Sequence, residues 1–273
     1  MSEETEVEEP KKFKRRGEHR IRFLVSYDGT EFSGWQRQNN ATSVQGVLEE
    51  AVGKLIGQPV VIQGASRTDS GVHAVGQVAH FDMDRNPDSV NFTYGIRQFL
   101  PPTVVVKEAS HAPNDFHAIA SSIKKTYHYV VLNRDHPSAL RFRYSYWRRN
   151  PLDLDYLNEA CEFLVGKQDF KAFQSAGSEV KSTIREIFSA EWKRKSDDTV
   201  EFAITGNGFL KQMVRNIVGT LIELHQEKES PKLIREILNT LDRRKAGPTA
   251  PPQGLYLTRV YYPPALDNQC RKL

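Results

Sequence analysis

Along the first hundred residues the apolar positions alternate, then step by three and four, then alternate again. Ile21, Phe23, Val25 and Tyr27 alternate with Arg22 and Ser26, the period of a half-buried strand, which the turn YDGTE ends. Thr42 with Gln45 three positions on has the form of a capping box. Val44, Val47, Leu48, Ala51 and Leu55 follow at helical spacing, and Gly57 closes the run. Strands are expected over 60–63 and 77–83, the second with Ala79, Phe81 and Met83 on one face. A helix near 89–100 should stop at Pro101 and Pro102, and TVVVKEA reads as a further strand. The predicted order is βαββαβ.

From Lys124 the same order recurs. TYHYVVL is a strand, and 154–165 a helix with Leu154, Leu157, Cys161 and Leu164 in register. Strands are predicted over 184–193 and 199–205, then a long helix over 209–225 whose apolar side holds Leu210, Met213, Val214, Ile217 and Leu221. Ser230 and Pro231 open another helix, and GLYLTRVYY closes the series as a strand. The repeat is one of pattern, not of identity, and the order is ferredoxin-like. It predicts an α+β fold of two ferredoxin-like halves, 20–112 and 113–264, whose antiparallel sheets flank a central basic cleft. A charged, disordered tail (1–19) and a short C-terminal tail (265–273) complete the expected organisation.

Composition narrows the function classes. No apolar run approaches twenty residues, which excludes a membrane-spanning helix. The start, MSEETEVEEP, lacks the basic and apolar segments of a signal peptide. Two cysteines, Cys161 and Cys270, are too few for a disulfide framework or a four-cysteine zinc site, and they suit a reducing compartment. The net charge of +4 hides five glutamates among the first nine residues; setting those aside leaves about +9. A basic body suggests a polyanionic partner, whose condensed counterions are released when its phosphates are neutralised. The stretch KKFKRRGEHR has three readings, a flexible nucleic-acid arm, a localisation signal or a solvated disordered tail.

Four stretches are candidates for chemistry. In GASRTDSGVHA, Gly64 and Gly71 allow close approach to a ligand. Arg67 and Asp69 would share a face if the segment were extended, and an arginine keeps a nearby carboxylate ionised. Asp-Ser-Gly is also ordinary turn chemistry. In KKTYHYVV, Tyr127 and Tyr129 lie on one strand face, suited to stacking on nucleobases or to packing in a core. In NGFLKQMVRNIVG, Arg215 sits among apolar residues and requires a carboxylate or phosphate partner, for which Asp69 is the candidate. LRFRYSYWRRN (140–150) combines four arginines with four aromatics, either a phosphate-contacting ridge or a strand whose aromatics pack inward. No histidine pair has metal-ligand spacing with a third donor, and no Walker, dinucleotide or GxSxG motif occurs.

Taken together, these blocks resemble the TruA family of tRNA pseudouridine synthases from about Arg20 to Tyr262. YDGTEFSGWQRQ, GASRTDSGVHAVGQVAHF, FHA with KTYHYVVLN, DFKAF, FLKQMVRNIVGTL and AGPTAPPQGLYL follow the family order. The family loop is usually GAGRTDAGVHA, so Ser66 and Ser70 stand here for a glycine and an alanine. The resemblance implies a cofactor-free, metal-free isomerisation of uridine to pseudouridine at positions 38, 39 and 40 of the tRNA anticodon stem-loop. It implies Asp69 as nucleophile and Arg67 as a holder of the flipped-out nucleotide. Tyr127 would stack on the target base and shuttle its proton, Arg215 would pair with Asp69, and Leu255 or Leu257 would form part of the pocket floor. A cytoplasmic homodimer with tRNA as partner and no membrane association is the expected setting.

Overall fold

The computed structural model describes residues 17–177 and 180–273; the acidic start and the run KKFKRR lie outside them. The first half runs β1 (His19–Tyr27), α1 (Val44–Ile56), β2 (Gln63–Gly64), β3 (His73–Met83), α2 (Phe92–Gly95) and β4 (Val104–Ala112). The second runs β5 (Lys124–Asn133), β6 (Tyr146–Arg148), α3 (Leu154–Glu162), β7 (Gly166–Asp169), β8 (Ile184–Ser196) and β9 (Thr199–Gly206). It continues with α4 (Met213–Glu227), α5 (Leu233–Thr240), β10 (Leu255–Tyr261), α6 (Pro264–Asp267) and β11 (Arg271–Lys272). Among the described residues no helix is long and apolar enough to cross a membrane.

Most predicted elements are present, with instructive differences; the strand expected over 60–63 shrinks to the two-residue β2. The cap of α1 is Ser43, whose hydroxyl accepts from the Gly46 amide at 3.2 Å, not Thr42. Gln45 does not turn back to close a capping box. Its Oε1 accepts from the Arg37 amide and its Nε2 donates to Glu49 and to the Ile62 carbonyl. The helix over 89–100 reduces to a four-residue α2 between 3₁₀ turns: the Asn91 side chain caps Tyr94, and after Gly95 the chain tightens into a 3₁₀ turn over Ile96–Phe99. The long second-half helix begins at Met213 rather than near 209, since Gln212 has a left-handed backbone (φ 58°). That break frees Phe209 and Lys211 from the helix. β3 starts four residues earlier than the alternation from Gln77 suggests, and so takes up His73 and Ala74.

Two separate antiparallel sheets were the expectation from pattern, and here the structure corrects it. The strands form one eleven-stranded sheet, in the order β11-β4-β1-β3-β10-β5-β9-β8-β7, with β2 on β3 and β6 on β5. In the first half β4, β1 and β3 lie side by side with β2 on β3; in the second, β10, β5 and β9 lie side by side with β8 on β9, and β6 and β7 are additions. The halves are joined where β3 and β10 run parallel, His73 opposite Tyr256 and Ala74 opposite Leu257. The C-terminal residues return to the first half, where β11 pairs with β4.

This short parallel seam determines where the site is built. Parallel neighbours start at the same end, so the loops entering β3 and β10 emerge side by side. Next to β10, β5 places Tyr127 opposite Leu257. The residues between β9 and the first turn of α4 complete the wall, with Phe209 edge-on to Tyr127 at 5.1 Å between ring centres.

Candidate active site

The loop between β2 and β3 is held from below. The Tyr27 and Thr68 hydroxyls share a buried hydrogen bond of 2.8 Å, and the Trp35 amide donates to the Thr68 carbonyl at 3.1 Å. Fully buried Gln77 clasps Ser66 twice, accepting from its amide (3.2 Å) and donating to its carbonyl (2.7 Å). Two glycines make this interlock possible. Gly34 has φ +93°, and a Cβ there would lie 2.5 Å from the Thr68 carbonyl oxygen. At Gly64 a Cβ would fall 2.3 Å from the indole of buried Trp35. Gly64→Ala is therefore expected to lower stability by about 2 kcal/mol, a fall in Tm of roughly 5 °C; a thermal melt at the wild-type value would contradict this packing.

On this base Asp69 meets Arg215 from 146 positions away, with Arg215 Nη1 donating to Asp69 Oδ2 at 3.3 Å. Arg215 is fixed first by its Nε, which donates to the Ala250 carbonyl at 2.8 Å, while the Ala250 amide donates to the Arg215 carbonyl at 3.1 Å. The loop entering β10 thus orients the guanidinium that holds the loop entering β3. Burial pushes the Asp69 carboxyl above its ordinary pKa; the charge and hydrogen bond of Arg215, and the more distant Lys211, oppose this without cancelling it. Lys211 is tethered through Nζ to the Ala176 carbonyl at 2.8 Å. The partner that the buried arginine requires is therefore Asp69. Arg67 is not a second clamp on that carboxylate: it lines the pocket, exposed, with no hydrogen bond to a described residue.

Tyr127 is 6% exposed and lies in the same pocket. Its hydroxyl and the Ser66 Oγ share a hydrogen bond of 2.6 Å. Burial pushes the phenol up to about 12, partly offset by that bond and reinforced by the Asp69 charge, so it is neutral at pH 7. Tyr129 is the packing residue of the pair, fully buried with its hydroxyl on the Pro251 carbonyl at 2.8 Å. Leu255, not the deeper Leu257, lines the cavity of about 560 Å³. A cavity of about 630 Å³ elsewhere is lined by Arg20 and Asp82, which pair with each other at 2.8 Å, and by His80, Asp84 and His117.

Sequence reasoning missed Lys125 and Lys211, which line the pocket beside Asp69. Both stand in quoted motifs, but Lys125, one lysine beside another, carries no sign of burial, and Lys211 is an exposed lysine whose place at the pocket only the fold sets. The bond from Ser66 to Tyr127 was equally invisible, since it spans 61 positions. In the 140–150 run the aromatics divide. Leu140 and Phe142 are exposed, whereas Tyr146 packs edge-on against Tyr129 with Arg148 over its ring.

One acid among several cations in a concave pocket is the make-up of an enzyme that applies carboxylate chemistry to a polyanion. A family model described as tRNA pseudouridine synthase matches residues 23–119 and 160–263. The tRNA pseudouridine synthase A of Bdellovibrio bacteriovorus is 47% identical over 259 residues, covering 93% of this chain and 99% of that protein. Its namesake in Ruminiclostridium cellulolyticum is 44% identical (89% and 99% covered), and that of Myxococcus xanthus 42% (90% and 94% covered). The chain belongs to the tRNA pseudouridine synthase family.

Proposed function

We propose that this protein isomerises uridine to pseudouridine in the anticodon stem-loop of tRNAs, at positions 38, 39 and 40, with Asp69 as nucleophile. The observation that carries the assignment of roles is the Asp69–Arg215 pair in the pocket that Tyr127 also lines. The reaction breaks the N1–C1′ bond and makes a C5–C1′ bond; the C5 proton leaves and N1 gains one, so the composition is unchanged. Asp69 adds as the carboxylate to an electrophilic carbon of the nucleotide, C1′ of the sugar or C6 of the base, and is later released. Arg215 keeps the carboxylate ionised against its burial and aims it. The neutral Tyr127 ring supports the extruded base, and its hydroxyl, joined to Ser66, lies where a proton can pass. Arg67, exposed at the pocket and unpaired among the described residues, holds the flipped nucleotide in place.

The reading extends to the whole chain. The matching strand order of the two halves supports two ferredoxin-like domains, 20–112 and 113–264, with a basic cleft between them at the seam. Two copies assembled as a homodimer would present that basic surface to one tRNA. The test is tritium release from a tRNA transcript labelled at uridine C5. The purified protein is expected to release tritium and to leave pseudouridine in the product. Free uracil among the products would instead make it a glycosidic hydrolase, and binding without release would make it an RNA-binding module.

A further inference from the structure

The pocket holds one charge that the roles above leave unused. Lys125, on β5 two residues before Tyr127, is 9% exposed and lines the cavity. Among the described residues its ammonium has neither an ion pair nor a hydrogen-bond acceptor. The pocket's carboxylate does not serve it, since Asp69 pairs with Arg215 and is influenced next by Lys211. The charge that Lys125 does experience is of its own sign: Arg185, across β9 on β8. Arg185 is tied to the Ser182 and Ile184 carbonyls and cannot swing away without losing both bonds. Burial first, and Arg185 second, push the Lys125 ammonium down to about 8, the response of a buried cation that lacks a counter-charge. A buried, unpaired cation is costly, and a bound anion removes that cost.

We propose that Lys125 is the binding site for one backbone phosphate of the RNA, on a nucleotide flanking the target uridine. The proposal rests on the uridine-isomerase reading for the identity of the RNA. A phosphodiester suits the site: it carries one negative charge, offers two acceptor oxygens, and adjoins the base that must enter the pocket. With the phosphate seated, the ammonium gains a counter-charge, and Arg185, already within the field of Asp169, gains a second anion. Lys125 is in this sense a positioning residue, which sets how deep the flipped nucleotide sits relative to Asp69.

Binding of an anticodon stem-loop hairpin, measured across a series of salt concentrations, tests the site. Lys125→Met is expected to raise Kd about tenfold and to reduce the slope of log Kd against log salt by about one, the signature of one lost phosphate contact. Lys125→Arg, which keeps the charge, should remain within about threefold of wild type, and thermal melts of both variants check that they fold. A hairpin with a neutral methylphosphonate at one linkage beside the target should reproduce the loss in the wild type and add nothing further in Lys125→Met. A wild-type Kd and salt slope in Lys125→Met would overturn the proposal, as would methylphosphonates at both flanking linkages each adding their full effect to that variant. Tritium release by the wild type is scored separately, so failure of the phosphate site and failure of the isomerase reading give different results.

Discussion

Asp69→Asn is expected to abolish tritium release, by a factor on the order of 10⁴ or more, while tRNA binding stays within about twofold of wild type. The asparagine amide matches the carboxylate in shape but has no anionic oxygen to attack with. It can still face Arg215 through its carbonyl oxygen, so the loop clasped by Gln77, Tyr27 and Trp35 keeps its form. Residual release above about one per cent of wild type would remove Asp69 from the nucleophile's role. The wild-type pH profile offers a second check. Because burial raises the Asp69 pKa, the proton is bound more tightly in the folded protein than in a free carboxylic acid. Activity should therefore decline on acidification at a pH above the usual carboxylate value, as the nucleophile is protonated. An acid limb at or below pH 4 would contradict this, where about 3.9 is the free aspartate value.

Arg215→Leu is expected to reduce turnover by roughly 10²–10³-fold and to destabilise the fold by about 2–3 kcal/mol. Two effects combine in the activity. Without the guanidinium, Lys211 alone among the described residues opposes the burial of Asp69, so the carboxylate pKa rises further and less nucleophile is ionised at pH 7. The carboxylate also loses its one side-chain hydrogen-bonding partner among the described residues, and with it its aim. The stability loss follows from the Ala250 carbonyl, which accepts from the Arg215 Nε in a buried position and is left without that donor. The Asp69–Arg215 term is discounted because Asp69 is about a quarter exposed, at 24% of its side-chain area. The acid limb of the variant should move to higher pH, a shift that general misfolding does not produce. Full activity in Arg215→Leu would remove the pairing from the mechanism.

How much of this was legible beforehand depends on the range of each interaction. The helix α1, closed by Gly57, could be read directly, because caps and periodicity act over four residues. The reduced α2 and the late start of α4 could not, since each depends on a single backbone choice, at Asn91 and at Gln212, within a segment of good helical pattern. Arg215 was conspicuous because a charge inside an apolar stripe violates the pattern wherever the stripe packs. Lys125 violated nothing, being one lysine beside another at a strand's start.

By itself, then, the sequence determined most of the strands and helices, the basic character of the body, and the candidate groups for the chemistry. Those properties are local: alternation, capping, charge, and the functional groups of Asp69, Tyr127 and Arg215. The tertiary structure alone decided that the two halves share one sheet, joined through the two register pairs of β3 and β10. It decided that Asp69 is paired with Arg215 rather than with Arg67, two positions away, and that Ser66 reaches Tyr127. It also turned Lys125 from a surface-type residue into a buried cation awaiting an anion. The physical reason is common to all four: hydrogen bonds and desolvation depend on distance in space, and between residues 61 or 146 positions apart only the folded chain sets that distance.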